Sequence, residues 1–414
     1  MKNTLLLFLC MLIAGFSAQA QILEWEQRAD FPGDGRSAAI GFGFMDKGFI
    51  GTGYDGEDYR RSFYMYDPAL DFWTQTESLG GISGEGMERN CAAAFTIGNK
   101  GFVATGQGGD PFLNDLWEYN KTANTWTPKG TVGGIDRRCA VGFSIDNKGY
   151  VALGQDATGY RKDLWQFDTT TGAWTQKADF IGTPRRLSCG FVIDGKVYIG
   201  TGDDGAFTND FYKYDPVSNT WTIKANFGGS PRYGATAFAL NGKGYVACGY
   251  DTTFTNQTDF YTYDPLSDVW TQLADFPGGP RTNATAFVVD TLAFLGMGYD
   301  TSFLYDIWMF GDTTDPKPID TSDAIAQWND PWLDLQLYPN PAVYFISAWL
   351  PDPEQQDAQI NVYDMRGRDV TEFCQTSIQS GKLQCNVTQL PVGTYQLVVT
   401  DTLSRSVGTF VVIH

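Results

Sequence analysis

The chain has 414 residues, with 48 acids, 29 bases and a formal net charge of −19. Such an acidic protein repels phosphate backbones, which argues against nucleic-acid binding. The one histidine is the last residue, His414, so the body of the chain has no histidine for a catalytic triad or for a His-ligated zinc or copper site.

Residues 1–20 have the pattern of a secretory signal peptide. Lys2 supplies a positive start, residues 5–16 are apolar, and a small-x-small motif (AQA) ends at Ala20. We expect cleavage between Ala20 and Gln21. The apolar run is too short to span a membrane and no later run is long enough, so we expect export without a transmembrane anchor.

Residues 21–312 contain a unit that recurs six times. In each unit a phenylalanine follows an arginine by six residues, and a glycine follows the phenylalanine by eleven. The arginines are Arg36, Arg89, Arg137, Arg185, Arg232 and Arg281. Positions three and five after each arginine hold only glycine, alanine or serine, on the strand face opposite the phenylalanine. Sheets with one aromatic and one small face suit radial stacking, in which the rings of one sheet fill the shallow side of the next.

Each unit is predicted to form four short strands, the last with a tryptophan. Four strands in just under fifty residues predict one blade of a β-propeller. The sixth unit has no tryptophan strand after Trp308, and the matching sequence surrounds Trp25. We therefore predict that the N-terminal strand completes the sixth blade and closes the ring, which leaves no free sheet edge.

The segments NDLWEYNKTANTW (114–126) and NDFYKYDPVSNTW (209–221) resemble the third and fourth strands of kelch repeats. The resemblance covers about residues 22–312 and implies an all-β fold, a six-bladed kelch-type β-propeller. One departure is that the paired glycines of the family are here Thr-Gly, Leu-Gly, Cys-Gly or Met-Gly. The close backbone approach at this pair is therefore expected to differ.

Residues 313–335 are polar, proline-containing and unpatterned, as in a linker. Alternating apolar residues in 336–414 predict a small β-sandwich. The pieces LYPNPA, VYDMRGRDV, LPVGTYQLVV and the terminal GTFVVIH resemble the C-terminal sorting domain of type IX secretion substrates in Bacteroidota, although His414 stands where that family more often has lysine. The resemblance implies contact with the type IX machinery and a secreted or cell-surface protein. The alternative is an adhesive or carbohydrate-binding sandwich.

Six cysteines remain after the signal peptide. Cys374 and Cys385 are close in sequence and form either a disulfide or two free thiols. The other four are expected to be buried, inert thiols: Cys91, Cys139, Cys189 and Cys248.

Pairing Phe42 with Phe49 across the first hairpin places Arg36 opposite Asp55. The equivalent acids in the other units, the second unit excepted, are Asp156, Asp204, Asp251 and Asp300. One interpretation is a belt of ion pairs that locks the blades in register. The other is an arginine-lined funnel at one mouth of the channel, for an anionic ligand such as a sugar acid. Less regular loops add further candidates on this face: Tyr54, Glu85, Glu88 and Asp203.

Two functions fit these patterns. We favour a binding or scaffold propeller that holds a protein or glycan on one loop face. The alternative rests on a resemblance to the sialic-acid mutarotases, six-bladed kelch enzymes that use carboxylates and arginines without metal. An acid/base residue would then come from Glu85, Glu88, Asp203 or Asp204. No motif indicates a cofactor, and the acidic turns DGEDY and TGDDG lack a full set of calcium ligands.

Overall fold

The computed structural model describes residues 23–81, 86–109, 112–312, 333–334, 344–349, 359–364, 370–379, 382–400 and 405–412. The predicted signal peptide with Ala20 and Gln21, Glu85 and most of the predicted linker lie outside these ranges. The chain divides into two compact units, Met1–Thr314 and Asp315–His414. The described residues are almost entirely β-structure, with one short 3₁₀ turn, and they include no helix that is long and apolar enough to cross a membrane.

The first unit contains six antiparallel sheets, each built on four strands. The chain begins with β1 (Leu23–Arg28), which belongs to sheet 6. Sheet 1 holds β2 (Ile40–Gly43), β3 (Gly48–Gly51), β4 (Phe63–Asp67) and β5 (Phe72–Thr76). Sheet 2 holds β6 (Ala93–Ile97), β7 (Lys100–Gln107), β8 (Phe112–Asn120) and β9 (Thr125–Thr131). Sheet 3 holds β10 (Val141–Ile145), β11 (Lys148–Ala152), β14 (Leu164–Asp168) and β15 (Ala173–Gln176), with β12 (Gln155–Asp156) and β13 (Gly159–Tyr160) as a separate pair.

Sheet 4 holds β16 (Cys189–Ile193), β17 (Lys196–Asp203), β18 (Phe207–Asp215) and β19 (Thr220–Lys224), and it is extended by the short strands β20 (Arg232–Tyr233) and β23 (Tyr250–Asp251). Sheet 5 holds β21 (Thr236–Leu240), β22 (Lys243–Ala247), β24 (Phe260–Asp264) and β25 (Val269–Gln272). Sheet 6 holds β26 (Thr285–Val289), β27 (Leu292–Gly296), β28 (Ile307–Asp312) and β1. In that sheet β1 lies beside β28, with Trp25 opposite Phe310. This is the position predicted for Trp25.

The aromatic faces of the sheets pack as predicted. Phe42 is opposite Phe49 in the first hairpin, and the same pair recurs in all six sheets. The paired rings stack with centroids 4.9–5.4 Å apart. Ala92 and Ala94, two of the predicted small residues, pack against the cluster that contains Phe42. Gly101, in the second strand of the same sheet, is held closely as well, because a methyl group there would lie 2.6 Å from the Phe42 ring of the preceding sheet. Rings nest against backbone, and this contact stabilises the stacking of the sheets.

A chain of backbone hydrogen bonds links the loops that precede the first strands. The N–H of Cys91 donates to Ala38, that of Cys139 to Cys91, and the series continues through sheets 4, 5 and 6 until Ala38 donates to Asn283. The six donors are Ala38, Cys91, Cys139, Leu187, Gly234 and Asn283, with N–O distances of 2.8–3.2 Å. All six have φ between +51° and +61°. This left-handed backbone is strained for the five that are not glycine, so the hydrogen bonds are made at a conformational cost.

The repeat glycines explain the departure from the kelch pattern. Gly53 has φ +101°, and its N–H donates to the carbonyl of Arg89 in the next unit at 2.7 Å. The residue before it, Thr52, is also left-handed at φ +59°. Its equivalents hold the same conformation with other side chains: Thr105, Leu153, Thr201, Cys248 and Met297. A non-glycine residue is therefore tolerated at the first position of the pair.

The second unit consists of two sheets that share one apolar core. One contains β29 (Leu333–Asp334), β31 (Gln359–Asp364), β34 (Gly393–Thr400) and β35 (Arg405–Val412), and the other contains β30 (Phe345–Trp349), β32 (Gln375–Gln379) and β33 (Lys382–Asn386). A 3₁₀ turn spans Thr371–Phe373. Ile346 and Leu383 from the second sheet pack with Val362, Leu397 and Phe410 from the first. The thiols of Cys374 and Cys385 are hydrogen-bonded to each other and are not joined by a disulfide in the structure.

Candidate functional site

Each repeat arginine is bonded inside its own unit, as Arg137 illustrates. Its Nε donates to the Ile135 carbonyl at 3.2 Å and its Nη1 to the Leu153 carbonyl at 3.1 Å. Both Nη groups donate to the Asp163 carboxylate at 2.7 Å, and Asp163 also accepts from Trp165 Nε1 at 2.7 Å. The Arg137 side chain is 1% exposed. Its hydrogen-bonding capacity is directed into the protein and away from any ligand.

All six repeat arginines are buried, and most of them are paired in the same way as Arg137. Arg89, Arg137, Arg185, Arg232 and Arg281 pair with Asp115, Asp163, Asp210, Asp259 and Asp306, in that order. Arg36 instead donates to the Ser62 hydroxyl. In the fifth unit the backbone of Arg232 does lie opposite Asp251, as the register predicts. The predicted ion pair is nevertheless wrong, because the guanidinium turns to Asp259.

The aspartates two residues after the repeat glycines shape their own loops. Asp55 accepts from the N–H groups of Glu57 at 3.0 Å and Asp58 at 2.8 Å, and it pairs with Arg60. Burial raises the pKa of Asp55, but these hydrogen bonds outweigh it and the pKa is lowered. Asp156 likewise binds Thr158, Gly159 and Arg161, and Asp251 binds Ser230 and Thr253 within its own unit. Asp300 instead accepts from Asn256 of the preceding unit.

A more variable set of residues surrounds the hydrogen-bonded ring. The position after each repeat arginine is paired through the backbone with the position after each repeat glycine. We call these twelve residues the ring face: Ser37, Asn90, Arg138, Arg186, Tyr233 and Thr282, opposite Tyr54, Gln107, Gln155, Asp203, Tyr250 and Tyr299. Arginine occurs at the first position only in units three and four. The ring face therefore breaks the sixfold repeat, as a specific binding site must.

Arg138 and Arg186 are joined by one amide. The Oε1 atom of Gln155 accepts from Arg138 Nη2 at 3.0 Å and from Arg186 Nη1 at 2.7 Å. Arg186 Nε also donates to Asp203 Oδ2 at 3.0 Å. Within the described residues, Arg138 has no carboxylate at ion-pairing distance. Two half-buried guanidinium groups with one carboxylate leave the cluster positively charged in a protein of net charge −19.

An aromatic cluster from units four and five adjoins the arginines. The Phe207 ring lies 4.9 Å from Tyr233 and 6.1 Å from Tyr250, and Phe254 lies 6.5 Å from Tyr250. Phe254 is 73% exposed and has φ +61°. A bulky side chain held in strained backbone and left in solvent is typical of a recognition loop. Arg186 is close enough to Tyr233 to influence its pKa, which burial raises.

A second aromatic cluster lies on the ring face of units six and one. Tyr54 is 5.8 Å from Phe303 and 5.2 Å from Tyr59, and Tyr299 is 5.0 Å from Phe303. The ring face is thus divided into two parts. At the position after the repeat glycine, units two to four carry Gln107, Gln155 and Asp203, and the other three units carry tyrosines. Cationic donors beside aromatic planes are the groups that bind an anionic saccharide, through charge-assisted hydrogen bonds and ring stacking.

The remaining predicted residues do not join this cluster. Glu88 is exposed beside Arg89, and Asp204 accepts from Thr183 and from the Ala206 N–H in its own loop. Asp203 is the predicted acid that the structure brings to the arginines, and it also accepts from the Tyr160 hydroxyl at 3.1 Å.

The sequence reasoning missed Arg138, Arg186 and Gln155. Their signal was present, because the doublets at 137–138 and 185–186 are the only Arg-Arg pairs that begin repeat units. It also missed the aspartates of the third strands, which stand two residues before the aromatic residue in NDLW, KDLW, NDFY, TDFY and YDIW. Residues that recur in every unit serve the fold, whereas residues that occur in one or two units are the better candidates for a binding site.

Comparison with known proteins agrees with this fold. A kelch motif model matches residues 184–228, and a model of the secretion system C-terminal sorting domain matches residues 336–413. The chain carries a kelch motif and a secretion sorting domain. No curated protein is significantly similar to the chain.

Among solved structures, the chain is similar to one entitled "Structure of YjhT", with 16% sequence identity and a TM-score of 0.56. The match covers 68% of this chain and 95% of that one. At this identity the likeness concerns the fold alone, that of a kelch-type propeller. The sorting domain indicates contact with the type IX secretion machinery and export to the cell surface or the medium.

Proposed function

We propose that this exported kelch-type protein binds an anionic glycan on the ring face. One observation carries the proposal: Arg138 and Arg186 break the repeat, are half-buried, share the Gln155 amide and adjoin an aromatic cluster. A sugar carboxylate would accept from the guanidinium groups, and its ring would stack on an aromatic side chain such as Phe254. Exposed arginines alone are common on protein surfaces, but this combination supplies charge, geometry and an apolar plane together.

We further propose that the six sheets are the blades of a closed six-bladed propeller. The pairing of β1 with β28, the contacts between successive first strands and the return of the hydrogen-bond series to Ala38 support closure. The domain boundaries follow the same proposal: signal peptide 1–20, propeller 21–312, linker 313–335 and sorting domain 336–414. Sequencing the N-terminus of the exported protein tests cleavage before Gln21.

Binding is tested by calorimetry of the exported protein with oligogalacturonate and with the same oligomer after carboxyl reduction. We expect binding of the charged oligomer only. Arg138→Met and Arg186→Met should each weaken it by about 10- to 100-fold, because each removes charge-assisted hydrogen bonds worth about 1.5–3 kcal/mol. Lys196→Met is the matched control, since it removes one positive charge at a hairpin where Lys196 faces Asp215. The proposal would be contradicted if Lys196→Met weakened binding of the oligomer as much as the arginine variants, or if neither arginine variant weakened it.

A second candidate is an enzyme that acts on a sugar acid without metal. The buried Asp203 carboxylate, which accepts from Tyr160 and Arg186, favours it. Burial, and then the hydrogen bond to Asp203, raise the pKa of Tyr160, which keeps its proton available to donate. The Asp203 carboxylate is already paired with Arg186, whereas Arg138 has no carboxylate partner among the described residues, so binding is the better supported function. Exchange between the anomers of a sialic acid, followed by NMR, decides: catalysis that Asp203→Asn abolishes favours the enzyme.

A further inference from the structure

Cys91 and Cys139 are neighbours in the hydrogen-bonded ring although 48 positions separate them in sequence. The Cys139 N–H donates to the Cys91 carbonyl at 2.8 Å, and the two residues have φ +53° and +51°. Their thiols are also hydrogen-bonded to each other. One residue precedes β6 and the other precedes β10, so a bond between them would join sheet 2 to sheet 3.

The surroundings favour reaction at Cys91. Cys91 is a partly exposed residue, although its thiol is buried, whereas Cys139 is 8% exposed as a whole residue. The hydrogen bond from Cys139, followed by the charges of Arg138 and Arg186, lowers the pKa of Cys91 despite burial. The thiolate is the nucleophile in disulfide exchange, so a thiol whose pKa is lowered beside two guanidinium groups is favoured as the attacking group.

The other propeller cysteines provide an internal contrast. Burial raises the pKa of Cys189 to about 11 and that of Cys248 to about 12. They are 5% and 0% exposed. These two fit the buried thiols predicted from the sequence. Cys139 is buried as well, and the hydrogen bond to Cys91, followed by burial, raises its pKa, so Cys91 is the exception among the four.

We propose that Cys91 and Cys139 form a disulfide in the exported protein and thereby crosslink two neighbouring sheets beneath the ring face. Disulfides persist in the oxidising compartments outside the cytoplasm. The oxidant is a low-molecular-weight disulfide: the Cys91 thiolate attacks one of its sulfurs and releases one thiol. Cys139 then attacks the mixed disulfide at the Cys91 sulfur and releases the second. Two protein thiols and one disulfide are converted to one protein disulfide and two small thiols.

Peptide mapping tests the proposal on the full exported protein. The protein is alkylated with N-ethylmaleimide in denaturant without reductant and then digested with trypsin. Cleavage after Arg89 and Arg138 gives peptides 90–100 and 139–148, and we expect them as one crosslinked species that reduction separates. The peptide 187–196, which contains Cys189, should carry the alkyl group in the same sample. Cys374 and Cys385 fall in other peptides and are scored separately.

A second arm starts from reduced protein and adds oxidised glutathione. We expect loss of the Cys91 and Cys139 thiols without retained glutathione, and a melting temperature about 5 °C higher than that of the reduced protein. Cys91→Ser and Cys139→Ser should each abolish the crosslinked peptide. Full alkylation of both peptides in the oxidised sample, or a stable glutathione adduct on Cys91, would overturn the proposal.

Discussion

Arg137→Met separates the architectural arginines from those of the ring face. The substitution keeps most of the aliphatic stem but removes every donor of the guanidinium. The Asp163 carboxylate, 20% exposed, is left with Trp165 Nε1 as its described hydrogen-bond donor. The carbonyls of Ile135 and Leu153 lose a donor each. Arg138, the next residue, provides a comparison in which only partly exposed contacts are lost.

The expected cost follows from this burial. Removing one partner of a buried ion pair costs about 3–5 kcal/mol, chiefly because the other charge stays buried. We therefore expect Arg137→Met to lower the free energy of unfolding by about 4 kcal/mol, or the melting temperature by roughly 8 °C. Arg138→Met should cost no more than about 1 kcal/mol, since its contacts lie at a half-exposed surface. Adding Asp163→Leu to Arg137→Met should restore part of the loss, because it removes the unpaired charge.

Guanidinium unfolding followed by tryptophan fluorescence measures both variants. Oligogalacturonate binding, measured on the folded proteins, should show the opposite order, with Arg138→Met weakened and Arg137→Met close to wild type. The distinction between buried structural arginines and ligand-binding arginines of the ring face is wrong in either of two cases. One is that Arg137→Met lowers the free energy of unfolding by less than about 1 kcal/mol, and the other is that Arg138→Met lowers it equally.

Three further predictions concern the propeller. Gly142→Ala places a methyl group 2.6 Å from the Ala94 backbone nitrogen, so we expect a loss of about 1–3 kcal/mol in guanidinium unfolding; an unchanged midpoint would argue against backbone nesting. Trp25→Ala removes a ring 4.9 Å from Phe310 and should lower the free energy of unfolding by about 2–3 kcal/mol in the same assay. An unchanged free energy would mean that β1 is not essential to the fold. Burial raises the pKa of Asp163, but the hydrogen bonds and charge of Arg137 together with the hydrogen bond from Trp165 outweigh it, and the pKa is lowered. The stability that the Asp163 carboxylate contributes is therefore full above the unfolded pKa of about 3.9 and is lost as the pH falls through the lower folded pKa. Acid unfolding curves of Arg137→Met should lack this loss.

Local pattern was sufficient for the strands and for their faces. Phe42 and Phe49 were paired correctly because strand alternation and hairpin register depend on neighbouring residues alone. The position of Trp25 beside the last strand followed from a missing repeat element, which is also visible along the chain. Small residues opposite aromatic ones predicted nesting, since the volume available between sheets limits the side chains that fit.

The direction of a long side chain was not predictable in the same way. Arg232 lies opposite Asp251 along the backbone, yet its guanidinium bonds Asp259, which is 27 positions away. Arginine has several rotatable bonds and reaches any acid within its radius, so the partner depends on which acid the fold brings close. Of the two interpretations of the repeat arginines, the belt of ion pairs was therefore closer to the structure, but it named the wrong aspartates.

The amino-acid sequence by itself determined the six repeats, their strands, the stacking of aromatic on small faces and the two different halves of the chain, because each depends on residues within one period. Only the tertiary structure decided which of the residues that depart from the repeat pattern contact one another. Arg138 and Arg186 share Gln155, and Cys91 contacts Cys139, across separations of about one repeat. Such contacts arise from the placement of one sheet against the next, a relation that no local pattern encodes.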